Sequence, residues 1–215
     1  MIFIGENIVI VPLEKADLPT VWEFREHKPI LGYFEAHRQY HKEAEKLNVD
    51  PFILYRNWTL GQMYGSENWY WGIYSKSPTK LIGAVWTTEV DDKCAWPTFL
   101  MGREVWGKGY TEDVVETLLG AFLGPSEMDG KPQGGYSIIK VLCHRANRRA
   151  QALAKGSGFK ETGFIPDGDG SDGPMDQIIF SLTQKEWRNR QPKPEKPKRK
   201  RGRPKKEKPV EMEVA

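Results

Sequence analysis

Trp106-Gly107-Lys108-Gly109-Tyr110 is the segment of this chain best suited to hold a charged ligand. It stands between a β-rich run, 95–101, and a stretch in which Val115, Leu118, Leu119 and Phe122 recur at helical spacing. A strand that turns through two glycines into a helix points N–H groups and the positive end of the helix dipole at an anion, and glycine lets the backbone come close to it. Spacing separates the turn from two other phosphate loops. A P-loop has four residues between its glycines and then Lys-Ser/Thr, and a dinucleotide fingerprint needs a third glycine at position 112, which is Glu112 here.

Near the C-terminus, Arg201-Gly202-Arg203-Pro204 sits between Lys198-Arg199-Lys200 and Lys205-Lys206 and resembles an AT-hook. An Arg-Gly-Arg core fits the narrow, electronegative minor groove of A·T-rich DNA, while flanking lysines reach phosphates. A generic polybasic tail, or a nuclear-import signal in a eukaryotic host, is the competing reading. Asp167–Gly173 is acid- and glycine-rich, but a calcium loop starting at Asp167 would need Gly and Glu where Asp172 and Ile178 stand. It reads as a hairpin loop before the last strand. Four scattered histidines and two cysteines form no metal-binding spacing, and Cys94 and Cys143 read as small buried residues of a reducing compartment.

The elements that must position these residues read as alternating strands and helices. Asn7–Leu13 is β-rich, and Asp17 then caps a helix with Pro19 in its first turn and Val21, Trp22 and Phe24 behind it. Residues 34–64 carry helical spacing for one or two helices without clear caps. Strands follow at 69–75 and 81–89, joined by a turn at Lys76-Ser77-Pro78-Thr79, and a third at 95–101. Pro97 cannot donate a ladder hydrogen bond, so an irregularity or an unpaired side is expected there. The helix after Tyr110, a loop at 124–135, a strand at 136–143, a helix at 147–156 and a strand at 177–182 complete the body. Trp69, Trp71 and Tyr74 read as core packing.

The 215 residues are 39% hydrophobic and include eight tryptophans and nine phenylalanines, enough for one folded domain. No apolar run reaches eighteen residues, and the first six lack a signal-peptide pattern, so a membrane-spanning or conventionally secreted protein is not expected. Residues 188–208 carry twelve Lys/Arg against two acids, whereas 1–187 carry 20 basic and 25 acidic residues. This division predicts a folded domain over 1–187 and a disordered basic Pro/Lys/Arg-rich tail over 188–215.

Five segments, in order, resemble the GNAT superfamily of acyl-CoA-dependent N-acyltransferases, in particular the branch that acetylates ribosomal-protein N-termini. They are Asn7–Leu18, Leu81-Ile82-Gly83-Ala84-Val85, Trp106–Tyr110, Asn147 followed by Gly158-Phe159, and Asp176 through Trp187. The resemblance implies an α/β fold of α+β type: a mostly antiparallel central sheet with a splayed parallel strand pair, flanked by helices. It implies acetyl-CoA as cosubstrate, its pantetheine between the strand ending near Met101 and the strand 136–143. Backbone groups of Phe99 and Met101 would meet the pantetheine amides, N–H groups of Gly107, Lys108, Gly109 and Tyr110 the pyrophosphate, and Asn147 the cofactor from the late helix.

The chain departs from the family at Glu104, where Arg or Gln is usual, at Ala150, where Ser is common, and at Thr111-Glu112-Asp113 in the helix's first turn. No catalytic base is identified: Glu89, Asp91, Tyr136 and His144 are candidates only by their location near strand ends. The expected function is acetyl transfer to an amine on a protein, a small molecule or an amino-modified base. The tail, through Arg201, Gly202, Arg203 and Pro204, would bring a cytoplasmic enzyme to the nucleoid. The alternative is a GNAT-fold protein without turnover, acting in nucleic-acid binding or phage assembly.

Overall fold

The computed structural model describes residues 2–27, 35–65, 69–91, 93–124, 135–166 and 176–190. In chain order the elements are β1 (Phe3–Ile4), β2 (Ile8–Pro12), α1 (Leu18–Arg25), α2 (Glu35–Leu47), α3 (Pro51–Gly65), β3 (Trp69–Lys76), β4 (Thr79–Asp91) and β5 (Cys94–Met101). There follow α4 (Tyr110–Leu123), β6 (Ile138–His144), α5 (Arg148–Gly156), β7 (Lys160–Ile165), β8 (Gln177–Thr183) and α6 (Gln184–Arg190). The strands form one sheet ordered β1-β2-β3-β4-β5-β6-β8-β7, antiparallel except at β5/β6. This is the mixed, mostly antiparallel α/β fold with one parallel pair that the family resemblance implies. Among the described residues no helix is long and apolar enough to cross a membrane.

Each face of the sheet has its own core. On one, α4 buries Val114, Val115, Leu118, Leu119, Phe122 and Leu123 against Ile8, Ile10, Trp71, Ile82, Val85 and Ile139. The helical spacing that marked 115–122 in the sequence is therefore the buried stripe itself, each such side chain contributing about 1.5–3 kcal/mol. On the other, Leu18, Val21 and Phe24 of α1 and Tyr55 of α3 pack on Leu13, Leu81, Ala84 and Leu100. Trp69 and Trp71 stack at 6.0 Å, Trp71 is buried, and Tyr74 packs against the second core, as the core-packing reading required.

Several expectations need correction. Asp17 precedes α1 but its side chain makes no bond to that helix's N–H groups. Its carboxylate instead accepts from the Glu14 N–H (2.9 Å) and from the Tyr74 hydroxyl (2.6 Å), tying α1 to β3. Of the one or two helices expected over 34–64 there are two, within 35–65, broken where Asn48 adopts a positive φ of 53° and Asp50 caps the Phe52 N–H at 2.8 Å. Strand β7 and the short β1 have no counterpart in the sequence reading. Helix α6 continues to Arg190, so Arg188–Arg190, expected as the start of the tail, are helical. Glu186 caps this helix through the Thr183 N–H (3.0 Å), and Arg190 donates to the Ser157 carbonyl and to Glu116 on α4. The loop residues 125–134, the Asp167–Gly173 segment and the tail from 191, including Arg201, Gly202, Arg203 and Pro204, lie outside the described residues.

Candidate active site

Strands β5 and β6 lie parallel but pair only at Cys94–Ile138 and Ala95–Ile139. Beyond those positions β5 stays in register with β4 as far as Met101–Gly83, and β6 with β8 as far as His144–Gln177. Each strand follows its other neighbour, and a crevice opens between them from Trp96 and Lys140 onward.

The alternation of the strand decides which backbone groups line this crevice. The Gly102 N–H donates to the Ile82 carbonyl (2.8 Å), so the even-numbered backbone groups of β5 point at β4. Those of Ala95, Pro97, Phe99 and Met101 therefore point away from β4, toward the opening. The missing N–H of Pro97 falls on this unpaired side, where no ladder bond is lost. The Met101 carbonyl is already occupied by the Trp106 indole N–H at 3.1 Å. Both backbone groups of Phe99 and the N–H of Met101 remain for a chain of amides lying in the crevice.

The glycine turn begins where β5 ends. Gly107 and Gly109 have φ of 71° and 82°, conformations that L residues rarely adopt, and Gly109 is the N-cap of α4. A Cβ added at either would meet no atom within 4 Å, so the space beside both is open. The Lys108 N–H donates to the Val105 carbonyl (3.3 Å), and the first intrahelical bond belongs to Asp113, whose N–H reaches the Gly109 carbonyl. The N–H groups of Gly107, Gly109, Tyr110, Thr111 and Glu112 have no acceptor among the described residues. Five donors converge at a helix N-terminus, which suits a diphosphate. Lys108 is exposed at the rim, and Arg149 of α5, which sequence reasoning missed, holds its guanidinium 5.2 Å from the Trp106 ring.

The sequence departures have local explanations. Glu104 turns away from the nest to Lys80 on β4, 3.2 Å off, so its charge is answered there. Asp113, in the first turn of α4, accepts from the Glu6 and Asn7 N–H groups at 2.9 and 2.6 Å and anchors the N-terminal hairpin to this helix. Asn147 caps α5, its side-chain oxygen accepting from the Ala150 N–H at 3.1 Å, so only its amide nitrogen is left for another partner.

The structure does not gather the four candidate bases. Tyr136 is buried against Phe122, on the face covered by α4. The Nδ1 of His144 accepts from the Ala146 N–H at 3.0 Å. Glu89 and Asp91 lie at the end of β4, Glu89 opposite Ala95 where β5 and β6 last pair; their side chains fall outside the described residues. On the α1 face, burial pushes the Tyr40 and Tyr70 hydroxyls up to about 12, which keeps both protonated at neutral pH. Burial likewise pushes the Cys143 thiol up to about 11, away from nucleophilic use. Among the described residues no cluster of His, Cys, Asp and Glu could hold a metal ion.

A sheet opened between one parallel pair, beside a glycine nest that starts a helix, defines the architecture of acyl-CoA-dependent N-acyltransferases. The family model for the acetyltransferase (GNAT) domain matches residues 7–160. An acetyltransferase of the GNAT family from Bacillus anthracis superimposes with a TM-score of 0.65 at 15% identity, over 86% of this chain and 99% of that one. Spermidine N-acetyltransferase from Vibrio cholerae, in complex with CoA and spermine, gives 0.64 at 17% identity, over 86% of this chain and 100% of its own. No curated protein sequence matches. The chain belongs to the GNAT acetyltransferase family, and it is an acetyl-CoA-dependent N-acetyltransferase.

Proposed function

We propose that the chain acetylates an amine held near DNA, with the pantetheine arm of acetyl-CoA between β5 and β6 and the diphosphate on the 107–110 turn. The observation that carries this reading is the unpaired edge of β5 running directly into a nest of unanswered N–H groups. Phe99 and Met101 would bond the pantetheine amides through their backbones, and Gly107, Gly109 and Tyr110 would donate to the diphosphate. Lys108 would contribute side-chain charge, since its N–H is already used, and Asn147 its amide nitrogen. Bound acetyl-CoA supplies an activated thioester: the acceptor nitrogen takes the acetyl carbon, the C–S bond breaks, and the amine's proton leaves in net terms with the thiol. The protein's share is orientation of the amine and backbone N–H donation where negative charge develops.

The finer reading, a relative of the ribosomal-protein N-terminal acetyltransferases carrying an AT-hook tail, rests on the five-segment resemblance and on the basic run 188–208. Arg190 is tied to Glu116 of α4, so the tail departs beside the helix that carries the nest. A tethered DNA contact raises the enzyme's local concentration at DNA-associated acceptors in a nucleoid-associated, cytoplasmic setting. Calorimetric titration with acetyl-CoA tests the first part; absence of heat up to high micromolar concentrations rejects it. Truncation after Arg190 tests the second. Affinity for A·T-rich duplex should fall while acetyl-CoA affinity holds, and unchanged DNA affinity rejects the tail's role.

A further inference from the structure

The sheet face turned toward α1 changes character where β5 and β6 part. Leu100 packs with Leu18 and Phe24 while Met101 joins the α4 core, so Trp96, Thr98 and Leu100 face the α1 side. On β6, Ile139 and Cys143 join the α4 core, which leaves Lys140, Leu142 and His144 on the α1 side. Helix α1 covers β4 and β5, whereas α4, α5 and α6 send their apolar residues to the opposite face. The α1 side of β6, β8 and β7 is thus a shelf along the crevice, with Leu142 45% and Ile165 43% exposed. At its inner end the Lys140 ammonium lies 5.3 Å from the centre of the Trp96 ring. No carboxylate among the described residues pairs with Lys140, and the Trp96 indole N–H is sealed from solvent without an acceptor. The Lys140 ammonium stands at the point where the strands separate, and no oxygen answers it among the described residues.

We infer that this shelf receives the acceptor and selects an amine that carries a carboxylate close to its amino group; the inference rests on the acetyl-transfer reading above. A cation stacked on an indole keeps its charge while losing much of its hydration, so it attracts an anion more strongly than a fully solvated lysine does. A carboxylate drawn to Lys140 lies at the inner end of the shelf, while Leu142 and Ile179, paired across β6 and β8, give an apolar side chain a floor. The same ammonium repels a polycationic amine. The carboxylate can belong to a free amino acid or to an acidic residue next to a peptide's N-terminus.

The test is CoA release by the full chain at saturating acetyl-CoA, in three arms: leucine against leucinamide, a short peptide with glutamate second against the same peptide with glutamine, and spermidine. The inference expects the carboxylate member of at least one pair to have about tenfold higher kcat/KM, and the pair that responds identifies the source. The amine of leucinamide is the less basic of the two, so more of it is deprotonated near neutral pH, and intrinsic availability favours the opposite result. Lys140→Met should abolish the preference and Lys140→Arg retain it, with acetyl-CoA affinity by calorimetry within about twofold of the parent. Equal rates within both pairs, no acetylation of any probe, or best turnover with spermidine overturns the inference. So does a Lys140→Met variant that slows every acceptor alike. Loss of acetyl-CoA binding by the parent chain overturns the acetyl-transfer reading as well; binding without charge preference overturns this inference alone.

Discussion

Replacing Gly109 by alanine separates the strain of the turn from its use as an anion site. The residue caps α4 at φ 82° and an added methyl meets no atom within 4 Å, so the cost to folding is conformational rather than steric. That cost is about 1–2 kcal/mol, which in a domain of this size lowers Tm by roughly 2–8 °C. The methyl enters open space at the turn on which the proposed diphosphate rests. Alanine keeps its N–H, but a methyl that holds the diphosphate off one charge-assisted donor costs about 1.5–3 kcal/mol, or roughly ten- to a hundredfold in acetyl-CoA affinity. Gly120→Ala is the control, because Gly120 lies within α4 with equal room and without a positive φ. It should raise stability by about 0.5–1 kcal/mol and leave affinity alone. Urea unfolding and calorimetry on both variants read the two effects. If Gly109→Ala loses stability but binds acetyl-CoA within twofold of the parent, the diphosphate does not rest on this turn.

Asp113→Ala removes the acceptor of the Glu6 and Asn7 N–H groups, and urea unfolding should show a loss of about 1–2 kcal/mol that Asp113→Asn restores only in part. Glu186 gives a pH signature: its bonds to Lys160 and then Thr183 lower its carboxyl from 4.5 to about 2. A depressed folded-state value stabilises the native protein above the unfolded value and loses that contribution as pH falls, so the window runs from about 4.5 down to about 2. In Glu186→Gln the fall in Tm across that window should be shallower than in the parent; parallel curves would show that the carboxylate gains nothing from its partners.

The parts of the site legible in the sequence are those built from neighbours along the chain. Gly107 and Gly109 announced a turn because only glycine suits their backbone, and 110–123 announced its buried stripe through helical period. Pro97 marked the strand side that goes unpaired. The break between α2 and α3 is also written locally, in Asn48 and Asp50-Pro51, but the weak apolar patterning of that stretch gives it little contrast. The splay itself is not legible from residue patterning, since it depends on how far two strands whose partners lie 44 positions apart continue to pair; only family resemblance implies it. Strand β7, Lys160–Ile165, carries no clear strand pattern because it is a short edge strand with polar residues and a register shift between Glu161 and Gly163. Glu104 departs from the family pattern in the sequence and finds its partner, Lys80, on another strand, and Asp17 reads as a cap while its carboxylate is taken by Tyr74 of β3. Both are tertiary facts.

The central claim is that the opening between β5 and β6 holds acetyl-CoA by its amides and its diphosphate. A crystal structure of the full chain with CoA tests it most directly. The account expects the pantetheine arm against the Phe99 backbone and the Met101 N–H, with the diphosphate on the N–H groups of Gly107, Gly109 and Tyr110. CoA bound elsewhere, with β5 and β6 zipped together past Ala95 and Ile139, would contradict it.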